Sequence, residues 1–189
     1  HTHSGPSIAE TDLSLPGADL VPAYRQQLID GIVAAIRGAS SRLGKSRISW
    51  TYGRCQLAAN RDLACGPRDV TGFNPHLPAD ETVVVGRVTG ADGSLEAVLV
   101  NYACHPTTLA FHNSLISPDY IGAAREVVQN ELGVPMLFLQ GASGELAPRD
   151  QYVPGTEVTD RNGRSLGHAV LAALNTLTSA GTELVFQGT

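Results

Sequence analysis

Cysteine is scarce in this chain: Cys55, Cys65 and Cys104 are an odd number with no C-x-x-C pair, so neither a thiolate zinc site nor a disulfide framework is indicated. A Cys55–Cys65 bridge stays open beside the plainer reading of three small buried hydrophobes. Basic residues are also few, 13 Lys+Arg against 18 Asp+Glu for a net charge of −5, and they form no cluster. A nucleic-acid footprint and an attachment to an anionic membrane surface are excluded as functions. The longest apolar runs, such as 97–103 and 134–142, fall far short of the roughly 20 residues of a spanning helix, so no transmembrane segment is expected. No charged and then apolar leader precedes the first motif, and the expectation is that the chain as given carries no signal peptide. Repeats and low-complexity tracts are absent.

What is present is an ordinary globular composition, 42% hydrophobic over 189 residues, enough for one domain over 1–189 with a substantial core. Residues 7–20 mix Ser, Thr, Asp, Pro and Gly without periodicity and read as a loop. Leu28, Ile29, Ile32, Val33 and Ile36 recur at helical spacing, which predicts an amphipathic helix over about 22–37 with Gly38 past its end. A strand with a break is expected over 47–58, and no secondary structure over 60–81. Two β-rich runs flanking Gly90-Ala91-Asp92-Gly93 predict a hairpin whose second strand leads to His105-Pro106. Ser117 as N-cap and Pro118 at the first position predict a helix that Gly133 stops. The short run 134–141 reads as a strand buried on both faces, 160–177 as a helix, and "TELVFQG" as a last strand. The whole predicts an α/β fold, a mixed sheet with helices packed on its faces.

Polar residues suited to chemistry gather at strand ends and turns: His1, His3, Arg61, His105 and the glycine-rich loop 141–149. In open sheets ligands sit beyond the strand ends, so these residues could converge. A hydrolytic zinc site needs neutral imidazole or carboxylate ligands and one open position for an acidified water. It also needs a proton shuttle and a group to hold the oxyanion, for which His3 and Arg61 are chemically suited. Each signal has a bland counterpart. A lone histidine before proline, as at His105, is more often a satisfied structural residue. A free amine followed by histidine at the third position, His1-Thr2-His3, can chelate Cu²⁺ or Ni²⁺ without purpose. His76, His112 and His168 take the bland reading. "GASGE" around Ser143 fails as a nucleophile elbow at Glu145, and the loop is expected to offer backbone N–H donors and close approach.

Taken together, "HTHSGP" at 1–6, "NR" at 60–61, "NYACHPTT" at 101–108, "LISPDYIGAARE" at 115–126 and "FLQGASGELAPRD" at 138–150 resemble, in order and character, the N-terminal catalytic domain of the neutral/alkaline ceramidase family. The resemblance implies a zinc-dependent amidase acting on the N-acyl bond of ceramide or a related N-acyl lipid, so a small lipid-like substrate and a zinc cofactor. By it, His1 and His105 are metal ligands, His3 and Arg61 catalytic, and Gly144, Glu145 and Ala147 the substrate-binding loop. It also suggests a secreted or periplasmic setting. The chain departs from the family's pattern at two points. Ala147 stands where the family's loop presents a serine, and the family's further glutamate and tyrosine ligands have no match here. The chain therefore reads as a fragment of a larger catalytic domain that needs the remainder of its parent to complete the metal site. A non-catalytic lipid- or glycan-binding relative, and a terminal metal chelator, are the rival readings.

Overall fold

The structure, a computed structural model, describes residues 2–6, 8, 14–109, 111, 113–177 and 182–183. His1 and His112 lie outside this set, as does the predicted last strand beyond residue 183. The chain divides into two compact units, Gly5–Lys45 on one hand and His1–Ser4 with Ser46–Thr189 on the other. The smaller unit holds a 3₁₀ turn, Ala18–Leu20, and helix α1, Val21–Ser40. Gly38 does not end α1 as predicted. Its carbonyl accepts from Ser41 Oγ and Arg42 Nε, both at 3.0 Å, so the last turn is satisfied without a break.

The larger unit is built on a five-stranded mixed sheet in the order β7-β6-β5-β1-β9. Its strands are β1 (Ser46–Arg54), β5 (Thr82–Gly90), β6 (Leu95–Tyr102), β7 (Met136–Gln140) and β9 (Thr182–Glu183). β6 and β7 are parallel and the other neighbours antiparallel. The β5–β6 hairpin forms as predicted, with Gly93 at φ 85° in its turn and Asp92 Oδ1 accepting from the Ser94 amide. Helices α2 (Tyr120–Leu132) and α3 (Glu157–Leu174) cover one face of the sheet. Val83, Val85, Val98, Val100 and Tyr102 point to that face by strand alternation and meet Ile121, Ala124, Val128, Leu166 and Val170 in one core. The α/β class follows directly from this arrangement.

Three sequence expectations are corrected. β7 is buried on one face only, for Leu137 and Leu139 are 47% and 50% exposed while Met136 is buried. The stretch 60–81 is not without structure: β3 (Asp62–Cys65) and β4 (Arg68–Thr71) form a small hairpin around Gly66 at φ 64°, and β2 (Ala58–Asn60) pairs with β8 (Leu146–Pro148). β3 is exposed at every residue, so its pairing rests on backbone bonds that no apolar alternation announces. Of the cysteines, Cys55 and Cys104 are buried as expected, Cys65 is exposed, and all three are free thiols. Among the described residues no helix is long and apolar enough to cross a membrane.

Candidate active site

β6 is the element that carries the site to its place. Tyr102 ends it fully buried, its hydroxyl donating to the Cys55 carbonyl at 2.8 Å and accepting from the Ala58 amide at 3.0 Å. Two residues on, the Cys104 carbonyl accepts from the Tyr120 hydroxyl at 2.6 Å and from Gln140 Nε2 at 2.9 Å. His105 follows, 9% exposed, its carbonyl accepting from the Thr107 amide at 2.9 Å as the chain leaves the sheet.

The glycine-rich loop then turns its carbonyls on two side chains. The carbonyls of Ser143, Gly144, Glu145 and Leu146 accept, in that order, from His105 Nδ1, Arg61 Nε, the Arg61 amide and the His105 amide. The loop thus offers acceptors here, where backbone donors were expected. Arg61 Nη2 reaches His105 Nε2 at 3.3 Å. A guanidinium only donates, so its partner atom Nε2 carries the lone pair and Nδ1, against a carbonyl, carries the ring proton. The imidazole is fixed in one tautomer from both ends.

His3 arrives from the other direction. Ser4 forms an antiparallel bridge with Ser117, whose amide donates to the Ser4 carbonyl at 2.9 Å, and Thr2 Oγ1 donates to the Ser117 carbonyl at 2.8 Å. Between these two ties the His3 ring lies 5.5 Å from that of His105, tilted by 57°. Partial desolvation lowers the His3 pKa first, and the His105 and Arg61 charges add to this against a smaller opposing pull from Asp119.

The structure therefore brings His3, Arg61 and His105 together. Gly144 and Glu145 sit exposed at the loop's tip, and Ala147 is 1% exposed, paired with Ala59 across β8 and β2. Among the described residues no three His, Cys, Asp or Glu side chains converge as a metal set.

Sequence reading missed Asp119. The N-cap of α2 is this residue and not Ser117, because Asp119 Oδ1 accepts from the Tyr120 amide at 2.7 Å while the Ser117 hydroxyl faces back to the Asp119 amide at 3.0 Å. The only trace in sequence was a second capping-type residue, two positions after Ser117, ahead of the apolar periodicity.

These features define an α/β domain with a histidine–arginine cluster just beyond the end of a central strand. By sequence the chain is a relative of neutral ceramidase: it is 30% identical over 181 residues to neutral ceramidase of Pseudomonas aeruginosa, a match spanning 88% of this chain and 26% of that protein. The resemblance read from the motifs is thereby borne out. Two solved structures share the fold: neutral ceramidase from Pseudomonas aeruginosa, with a TM-score of 0.66 at 22% identity over 86% of this chain and 27% of that one, and a ceramidase complexed with C2, also at 0.66 with 21% identity, 86% of this chain and 27% of that one. The chain thus spans about a quarter of the length of the relatives it matches. No protein-family model matches it.

Proposed function

We propose that this chain supplies part of the active site of a hydrolase that cleaves the N-acyl amide bond of ceramide or a related N-acyl lipid with the help of zinc. The observation that carries the reading is the His105 ring with Nδ1 on the Ser143 carbonyl and its Nε2 lone pair facing out between Arg61 and the His3 ring, in a chain 30% identical to neutral ceramidase. A metal on Nε2 would replace the 3.3 Å contact from Arg61 Nη2. His105 fits a metal ligand in its chemistry, since a ligating histidine typically donates its other ring N–H to a carbonyl or carboxylate, as Nδ1 does here to Ser143. His1 and His105 would hold the ion in part, and the remaining ligands come from elsewhere in the protein. Zinc, when bound, supplies the Lewis acidity that makes water acidic near neutral pH.

The chain's own residues account for the other steps. His3, whose surroundings favour the neutral ring, accepts a proton from the water that attacks the amide carbon. Arg61, held by two loop carbonyls, faces the negative charge that develops on the carbonyl oxygen. The C–N bond then breaks, the proton passes from His3 to the departing nitrogen, and a carboxylic acid and an amine leave. Exposed Gly144 and Glu145 form the substrate side of the loop, with Ala147 behind them.

One observation favours a second reading, a non-catalytic lipid-binding relative: Ala147 is a buried methyl and supplies no hydroxyl. Amine release from an N-acyl sphingoid lipid separates the two. The purified protein is expected to release it and His105→Ala to lose at least a hundredfold in rate. Binding of the lipid with no release by either protein would move the reading to the non-catalytic relative.

A further inference from the structure

Asp119 stands in a backbone conformation that few residues other than glycine adopt, φ 57° and ψ −152°. Such a conformation costs on the order of 1–3 kcal/mol and persists where the surroundings over-determine it. Helix capping does not account for it. N-cap residues ordinarily lie in the β region and accept from the second or third helical amide; Asp119 accepts from the first, through Oδ1 alone. Its other oxygen, Oδ2, leaves the helix altogether and accepts from the Leu109 amide at 3.0 Å. The carboxylate is 2% exposed, so both bonds are made out of water.

One of these partners leads toward His105, and the Asp119 main chain leads toward His3. Leu109 closes the buried run 102–109, whose part after His105 is also held by the His105 amide on Leu146, by the Thr107 and Thr108 carbonyls accepting from Tyr152 and Val153, and by the Leu109–Val153 bridge. On the other side, the Asp119 amide donates to Ser117 Oγ, and Ser117 is the residue that both neighbours of His3 bind through Ser4 and Thr2 Oγ1. The Asp119 side chain thus ties 105–109 to the start of α2, and segment 2–4 is tied to the same turn through the main chain of Ser117.

We propose that Asp119 is a positioning residue that sets the separation of the His3 and His105 rings by tying the His105 segment, through Leu109, to the turn at the head of α2 on which Ser117 holds the His3 segment. Its catalytic consequence rests on the hydrolase reading above; the geometric claim does not. Glycine would fit the backbone at position 119 better than aspartate does, and the strain relieved offsets the cap lost. Asp119→Gly is therefore expected to fold with a melting temperature within a few degrees of the parent, its amide still on Ser117 Oγ, while the carboxylate tie to Leu109 is gone.

The test is the ring-to-ring nuclear Overhauser effect between His3 and His105, measured on the metal-free, full 189-residue chain with labelled histidine. The parent should show it, Asp119→Gly should lose it, and Asp119→Asn, with one acceptor oxygen in place of two, should retain a weakened signal. If Asp119→Gly does not fold, Asp119→Asn decides: an undiminished signal there overturns the proposal, as would an undiminished signal in Asp119→Gly. In the whole enzyme kcat should fall about a hundredfold with KM little changed, the scale expected of a misplacement near 1 Å. An inactive parent with the predicted loss of signal would sink the hydrolase reading and leave the Asp119 tie standing. Activity in the parent with signals unchanged in the variants would do the reverse.

Discussion

Arg61 and His105 each hold two kinds of bond at once, main chain and side chain, to the same short loop, and this is what turns two common residue types into a site. The chemistry of both was legible in sequence, because histidine before proline at a strand's end and arginine after a short strand are exposed to reading by type and place. Their partners were not, since a carbonyl looks the same at every residue. Asp119 escaped for a related reason: its role lies in a backbone conformation and two long-range bonds, and sequence spacing encodes neither. For His3 a consequence in pH follows. Its pKa is lowered in the folded chain from the ordinary histidine value of about 6.5. The unfolded chain therefore binds more protons on this residue as pH falls below that value, so the residue's contribution weakens the fold on acidification and is neutral well above it. Histidine-labelled NMR of the metal-free chain should give a His3 midpoint below that of an unstructured histidine peptide. Urea midpoints at pH 5 and pH 8 should lie closer together in His3→Gln than in the parent, and a midpoint at or above the peptide's would contradict the reading.

At the scale of elements, periodicity served where side chains decide and failed where the backbone does. α2, α3 and the β5–β6 hairpin carry their apolar faces in sequence, and each formed near its expected place. β3 and β4 carry none. β7 has a continuous apolar run that resembles a strand covered twice, yet α2 covers one face of it and Leu137 and Leu139 on the other are exposed, and no pattern within a single strand distinguishes the two cases. Close packing of α2 on α3 rests on glycine. A Cβ on Gly167 would come within 2.7 Å of Val127 Cβ, and one on Gly163 would strike the Tyr120 carbonyl oxygen. Tyr120 holds the Cys104 carbonyl beside His105, so the helix pair and the site share a residue. Gly163→Ala should destabilise the fold by about 1–3 kcal/mol through overpacking, read as a lower urea midpoint at unchanged slope. An unchanged midpoint would mean the helices have room the structure does not show.

On the scale of the whole molecule, the chain matches about a quarter of its relatives' length, and two histidines cannot complete a four-coordinate zinc site. The family was legible because five motifs keep their order across 150 residues, a signal no single motif carries. The zinc content itself is the claim on which the proposed chemistry turns. The most direct measurement is metal analysis by mass spectrometry of the dialysed whole protein beside its His105→Ala variant. The account predicts about one zinc per chain in the parent and its loss in the variant, while zinc absent from both, or retained in full without His105, would contradict it.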